Sequence, residues 1–188
     1  MYLDVFNKVV DSDDFTVGGG SASALAGAMA AGMVSMVAKL SMTKPVKLTR
    51  EEYTRISEDA DKLAQTLLIG SEKDTEAYCM IKDAYAMKKD TDEEKMARKK
   101  AVQEAAYQAA VVPMTNGYND KKVYALACRL EGSSNPNCLS DLLSAKYLSE
   151  AGIKGCALNI EANLAMIKDE TRIKELTAAM TELKNSVN

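Results

Sequence analysis

Apolar positions recur along this chain at helical spacing, but between Phe15 and Ala38 the pattern changes: no charged residue occurs there. That stretch opens with Gly18-Gly19-Gly20-Ser21 and continues through Ala22, Ser23, Ala24, Ala26, Gly27, Ala28, Ala30, Ala31, Gly32 and Ser35. Glycine lets the backbone approach another group closely. A helix start also offers unpaired N–H groups and partial positive charge, which suit a carboxylate, carbonyl or phosphate. The pattern predicts a helix from about Ser21 to Met42, whose small side chains either let neighbouring backbones pack tightly or leave room for a flat ligand. A short helix over Tyr2 to Val10 precedes it, with Leu3, Phe6 and Val10 on one side, and Pro45 marks the break that follows.

Farther along, Thr49-Arg50-Glu51-Glu52 reads as a capping box. It starts a long amphipathic helix reaching about Met87, with Ile56, Leu63, Leu67, Tyr78, Ile81 and Tyr85 on its apolar stripe. A second box, Thr91-Asp92-Glu93-Glu94, starts another long helix, which Pro113 should kink or divide near Thr115. Gly132 to Pro136 forms the clearest loop. Two helical segments parted near Gly152–Gly155 come next, and Asp169 can cap a final helix. No run alternates with period two and no internal repeat is visible. The reading is all-α: one domain over 1–188, a helical bundle of about five to seven helices including two long ones.

Composition narrows the chemistry. Acidic residues (Asp4, Asp11, Asp13, Asp14) precede the charge-free stretch where a signal peptide needs lysine or arginine. Small residues dominate the stretch itself, so a buried helix is the better reading than a membrane span. Net charge is −3 with no basic tract, which argues against nucleic acid or an anionic membrane as partner. The four cysteines, Cys79, Cys128, Cys138 and Cys156, form no CxxC pair, which argues against zinc and fits reduced thiols in a cytoplasmic protein. There is no histidine, so proton chemistry falls to Asp, Glu, Lys, Tyr or Cys.

Four groups of residues stand out. The glycine triplet lacks a preceding strand and a GKT ending, so neither a dinucleotide fold nor a P-loop is supported, and a tight-packing loop remains open beside a ligand role. Asp74 sits inside a long helix with Gly70 four residues before it on the same face, which can open space beside the carboxylate. Its neighbours Glu72, Lys73 and Glu76 fit a solvated polar face instead, the reading favoured by spacing alone. Asn135, Ser140 and Asp141 gather where a loop enters a helix, and capping and ligand binding fit equally. Asn159 and Asn163, at i and i+4 among apolar residues, need partners from another helix or a ligand. Tyr78 and Tyr85, one heptad apart, read as core rather than as a stacking platform.

Taken together, the segments resemble the cyclodeaminase/cyclohydrolase family, the C-terminal domain of formiminotransferase-cyclodeaminase. The resemblance rests on Gly18-Gly19-Gly20-Ser21 with its Ala/Gly-rich helix, then Asp74-x-x-Ala77-Tyr78, then Thr91-x-Glu93-Glu94-Lys95-x-Ala97-Arg98 running on to Pro113. Asn135-x-x-x-x-Ser140-Asp141 with Asn159 and Asn163 completes it. It covers roughly Leu3 to Asp169, with Val17 standing where the family usually has proline. It implies a stand-alone helical bundle acting as a homodimer on a tetrahydrofolate derivative, polyglutamylated or not, with no metal or further cofactor. Members hydrolyse 5,10-methenyltetrahydrofolate to 10-formyltetrahydrofolate, or convert 5-formiminotetrahydrofolate to 5,10-methenyltetrahydrofolate and ammonia.

The family's proton-transfer aspartate falls on Asp74, which reverses the reading from spacing. Gly18, Gly19, Gly20 and Ser21 are implied to seat a pterin carbonyl or the glutamate carboxylate. Asn135, Ser140, Asp141 and Asn159 are implied to bind substrate, with the aspartate suited to the donor-rich amino-pyrimidine edge. Both reactions act on a cationic carbon between two nitrogens. A nearby carboxylate favours that charge and can take and return a proton, provided burial raises its pKa. A helical folate-binding or assembly module without catalysis is the alternative, and a scaffold using the Ala/Gly helix only for subunit packing is a third.

Overall fold

The computed structural model describes residues 2–187, with the side chains of Tyr2 and Leu3 outside that description, and its regular elements are all helical. They are α1 (Tyr2–Val10), α2 (Gly19–Ser41), α3 (Arg50–Ala86), α4 (Asp92–Leu130), α5 (Leu139–Leu164) and α6 (Glu170–Asn185), with a 3-10 turn at Pro136–Cys138. The two long helices are α3, with 37 residues, and α4, with 39. Both begin at the anticipated capping boxes: Thr49 and Thr91 accept from the N–H of Glu52 and Glu94, whose carboxylates bond back to the two threonine N–H groups. Asp169 caps α6 by accepting from Thr171 and Arg172.

Helices α2, α3, α4 and α5 form the bundle; α2 lies along α3 and α5, α4 closes the opposite side, and α6 packs on α4 and α5. One apolar cluster joins Val34 and Val37 to Tyr53, Ile56, Leu67, Leu130 and Leu142. A second joins Ala106, Ile153, Ile160, Leu176 and Leu183. Although α2 is long and apolar enough to cross a membrane, 67% of that window is buried inside the bundle.

Neither expected division of a helix occurs. Helix α4 runs unbroken through Pro113, which lacks the N–H that would bond to the carbonyl of Ala109. The Asn163 amide from α5 donates to that carbonyl at 3.0 Å, so the freed acceptor is satisfied across the helix interface. Helix α5 likewise runs through Gly152 and Gly155, whose missing side chains admit Asp120 and Ser23.

Two apolar faces are also corrected. In α1 the buried residue is Val5, while Phe6 and Val10 are exposed; Leu3 lies outside the described side chains. Tyr78 and Tyr85 are 42% and 50% exposed, so the core stripe of α3 ends before them, and Ala77 and Ala84 turn inward in their place.

A polar seam runs between the two apolar clusters. Asp120 of α4 is fully buried against Gly27 and Gly152, where an added Cβ would stand 2.6 Å and 2.8 Å from its carboxyl carbon. Its Oδ2 faces the Cys156 sulfur at 3.8 Å, and its Oδ1 has no hydrogen-bond partner. Burial pushes this carboxyl well above the ordinary aspartate range, against the Cys156 contact, and so favours its neutral form. A pKa raised on folding leaves stability intact below the unfolded pKa and removes it as pH rises toward the folded one. Asp120→Asn is therefore expected to flatten the loss of stability that sets in as pH rises above the ordinary aspartate range, followed by urea denaturation. An equal slope in both proteins would refute the assignment.

Candidate active site

The first turn of α2 has no side-chain cap of its own. Gly18 at the N-cap position has no side chain to offer, and the first turn contains no acid. Asp74, reaching across from α3, supplies the missing acceptor. Its Oδ2 receives the Ser21 hydroxyl at 2.8 Å, the Ser21 backbone N–H also points to the carboxyl, and the hydroxyl lies 3.3 Å from Thr75 Oγ1. The positive end of α2 thus faces a carboxylate held by a different helix.

Glycine makes this approach possible. A Cβ on Gly20 would lie 2.7 Å from the Asp74 carboxyl carbon, and one on Gly19 would lie 3.2 Å from Asn159 Nδ2. Gly18 faces open space. The three glycines therefore differ: Gly20 admits Asp74, Gly19 admits Asn159, and Gly18 leaves the pocket mouth clear. Gly70, expected to open room beside Asp74, is filled by Asn116, which donates to the Gly70 carbonyl at 3.2 Å.

Asp74 is half-buried, and desolvation raises its pKa above the ordinary aspartate value against the opposing hydroxyl and N–H of Ser21. It is not on a solvated polar face. The pocket beside it, about 130 Å³, is walled by the Phe15–Gly18 segment, Gly20, Tyr78, Ile81, Ala109, Asn159 and Asn163. Asn163 spends its amide on Ala109 and on the Asn159 carbonyl, at 3.0 Å and 2.8 Å. Asn159 donates to the Gly155 carbonyl at 2.8 Å, and among the described residues no group donates to its Oδ1 beside Gly19.

The fold brings Gly18, Gly19, Gly20, Ser21, Asp74 and Asn159 together. It does not bring Asn135, Ser140 or Asp141 to them. The Asn135 N–H bonds to Ser41 at the far end of α2, roughly 30 Å from the glycine turn at helical rise. Asn135 caps the 3-10 turn by accepting from Asn137, Ser140 is exposed, and Asp141 lies in the first turn of α5. Tyr78 is the pocket residue that sequence reading placed wrongly, in the core. The spacing Asp74, Tyr78, Ile81, Tyr85 already put it on the aspartate's face.

The bundle has a close structural counterpart, the crystal structure of formiminotetrahydrofolate cyclodeaminase from Thermotoga maritima. The two match with a TM-score of 0.82 at 29% identity, over 96% of this chain and 87% of that one. The chain belongs to the formiminotransferase-cyclodeaminase family, whose model matches residues 2–182. It is 36% identical to methenyltetrahydrofolate cyclohydrolase of Methylorubrum extorquens, over 96% of this chain and 89% of that protein. It is also 27% identical to mouse formimidoyltransferase-cyclodeaminase, over 92% of this chain but only 32% of that longer protein.

Gly20→Ala tests the contact on which the pocket depends. The methyl group would displace the Asp74 carboxyl, with an expected cost of about 1–3 kcal/mol in stability from overpacking. Gly18→Ala, facing open space, is expected to stay within about 0.5 kcal/mol. Urea denaturation of the two variants should give that ranking, and equal losses would refute it.

Proposed function

We propose that this chain is a folate one-carbon enzyme that hydrolyses 5,10-methenyltetrahydrofolate to 10-formyltetrahydrofolate. The observation that carries this reading is Asp74, a half-buried carboxylate of raised pKa, in a family whose cyclohydrolase relative matches nearly the full length of both chains. Formiminotetrahydrofolate cyclodeamination is the second reading, favoured by the fold shared with the Thermotoga enzyme.

In the hydrolysis, water attacks the cationic carbon between N5 and N10, and Asp74 takes one proton from it. The adduct collapses by breaking the bond from that carbon to N5, while Asp74 returns its proton to N5. The hydroxyl proton leaves to solvent as the formyl group forms on N10. Ser21 holds the carboxyl in place and the first-turn N–H groups of α2 seat a carbonyl or carboxylate of the substrate. The carbon is already electrophilic, so this route needs no metal or added cofactor. Four unpaired thiols suit a reducing compartment, and we place the protein in the cytoplasm.

The substrate's near-UV absorbance reports turnover directly, and ammonia release from 5-formiminotetrahydrofolate tests the second reading. Asp74→Asn is expected to lose about 10²–10⁴-fold in kcat while retaining substrate binding. The wild-type acid limb should fall at a pH above the ordinary aspartate range, because the base form is lost as pH drops through the raised pKa. Full activity in Asp74→Asn, or no turnover of either folate, would sink the proposal.

We also propose a homodimer, a reading that the outer face of α2 supports. Ala22, Ala26, Met29, Met33, Met36 and Leu40 stand at alternating spacings of four and three, and each is partly or well exposed. Leu139, Tyr147 and Leu158 of α5 are exposed as well. Gly32 faces open space near the middle of the stripe, where two helices can cross closely. An antiparallel pairing would set Lys44 and Lys47 of one copy opposite Asp11, Asp13 and Asp14 of the other. The same pairing would bring the α5 start of the second copy, with Asn135, Ser140 and Asp141, toward the glycine-turn end of the first. Sedimentation velocity should show twice the 20.3 kDa chain mass. Met29→Glu/Met36→Glu should sediment as a monomer with reduced turnover; a monomeric wild type would refute the pairing.

A further inference from the structure

The pocket at Asp74, about 130 Å³, lies below the usual range for a small-molecule site, so much of a folate must stand outside it. Exposure separates its inner end from its mouth. Gly20 and Ala109 are buried, Asp74, Asn159 and Asn163 are half-buried, and Tyr78 and Phe15 are 42% and 80% exposed. The inner part therefore carries the polar groups, and the mouth carries two aromatic rings.

Single exposed apolar side chains are common on protein surfaces and need no function. Phe15 differs on two counts. It does not stand alone, because Val17, Tyr78 and Ile81 line the same pocket. The backbone that carries it is also held on both sides. Asp14 accepts from the Thr16 N–H at 2.7 Å and from the Thr16 hydroxyl, which ties together the residues before and after Phe15. The Asp14 N–H donates to the Asp11 carbonyl at 3.2 Å, and the Asp13 N–H to the Asp11 carboxylate at 3.0 Å. A phenyl ring kept in water on a tied connection lacks the burial that a core would give it, and a ligand ring can supply that burial.

The covalent structure of the substrate decides which ring comes to the mouth. In 5,10-methenyltetrahydrofolate the reacting carbon joins N5, part of the pterin, to N10, which bears an aryl ring directly. Tyr78 stands one turn beyond Asp74 on α3, about 6 Å at helical rise. An aryl group on N10 reaches that far when the carbon sits at Asp74. The pterin is the ring with hydrogen-bonding edges, and Asn159 Oδ1, with no donor among the described residues, suits one of its N–H groups.

We propose that Phe15 and Tyr78 form an aromatic clip for the aryl ring on N10, which makes Phe15 a specificity residue for the whole folate rather than for its pterin. The inference rests on the folate reading above and adds to it the direction of the bound substrate: pterin inward toward Asn159, aryl group outward at the mouth. The clip holds substrate and transition state alike, so its loss weakens binding and leaves the chemical step at Asp74 unchanged.

Calorimetry tests the clip with three ligands: 5-formyltetrahydrofolate, p-aminobenzoylglutamate, and 6-methyltetrahydropterin, which has no aryl ring. Phe15→Ala is expected to bind the first two about tenfold more weakly and the pterin unchanged. Phe15→Tyr should restore wild-type affinity, and Phe6→Ala, which removes the other phenylalanine of the chain, should leave all three ligands unaffected. In turnover of methenyltetrahydrofolate, Phe15→Ala should raise KM about tenfold and keep kcat within about twofold. Its urea midpoint should match the wild type, because the ring is exposed.

Equal affinities in wild type and Phe15→Ala overturn the clip, as does a loss that falls on the pterin as heavily as on the aryl ligands. A lowered urea midpoint makes Phe15 a structural residue and overturns it too. So does a Phe15→Ala chain that sediments as a monomer beside a dimeric wild type, since the ring then belongs to the subunit contact. Turnover with KM unchanged in Phe15→Ala removes the clip and leaves the enzyme reading. An aryl-dependent loss of binding in a protein without turnover does the reverse.

Discussion

Helix α2 can lie at the centre of the bundle only because its glycines, and those of α5, accept polar side chains from neighbouring helices. Asp74 seats over Gly20, Asn159 over Gly19, Asp120 between Gly27 and Gly152, and Ser23 against Gly155. At each place a methyl group would meet the polar atoms at or inside contact distance. Leucine or valine at these sites would force the helices apart. Glycine brings them together and takes polar groups out of water in the same step, which is the condition for perturbing a carboxyl.

The two buried aspartates show what surroundings do with that condition. Asp74 keeps the hydroxyl and N–H of Ser21, which favour its charge, and faces a pocket where a cation can enter. Asp120 has an orphaned oxygen and a thiol beside it. Burial therefore raises the first against donors that favour its charge, while the second is pushed well above the ordinary aspartate range and costs stability as pH rises. Polar compensation elsewhere follows the same logic. Pro113 frees a carbonyl and Asn163 takes it, and Arg98 serves the carbonyl end of α3, whose last turn has no basic residue of its own.

Much of the fold was legible because helix signals are local. The boxes at Thr49 and Thr91, the Asp169 cap and the charge-free run all appear where pattern placed them. Local reasoning failed where a partner across the interface changed the balance. Pro113 and Gly152 read as breakers, yet a donated amide and a seated carboxyl keep both helices continuous. Tyr78 and Tyr85 read as core because they are aromatic at heptad spacing, whereas the bundle turns alanines inward at that level.

For the site, the missing histidine turned attention to the acids, but spacing alone favoured a solvated face for Asp74, and the family resemblance was what named it as the proton carrier. Nothing in the order of residues states that Gly20, and not Gly70, makes room for that carboxyl, or that Asn135 lies at the opposite end of α2. The sequence by itself determined the helices, the shortage of bases and the inventory of acids, since these depend on neighbours along the chain. Only the tertiary structure decided which acid meets which glycine and which carboxyl loses its water, because distance and desolvation are properties of packing.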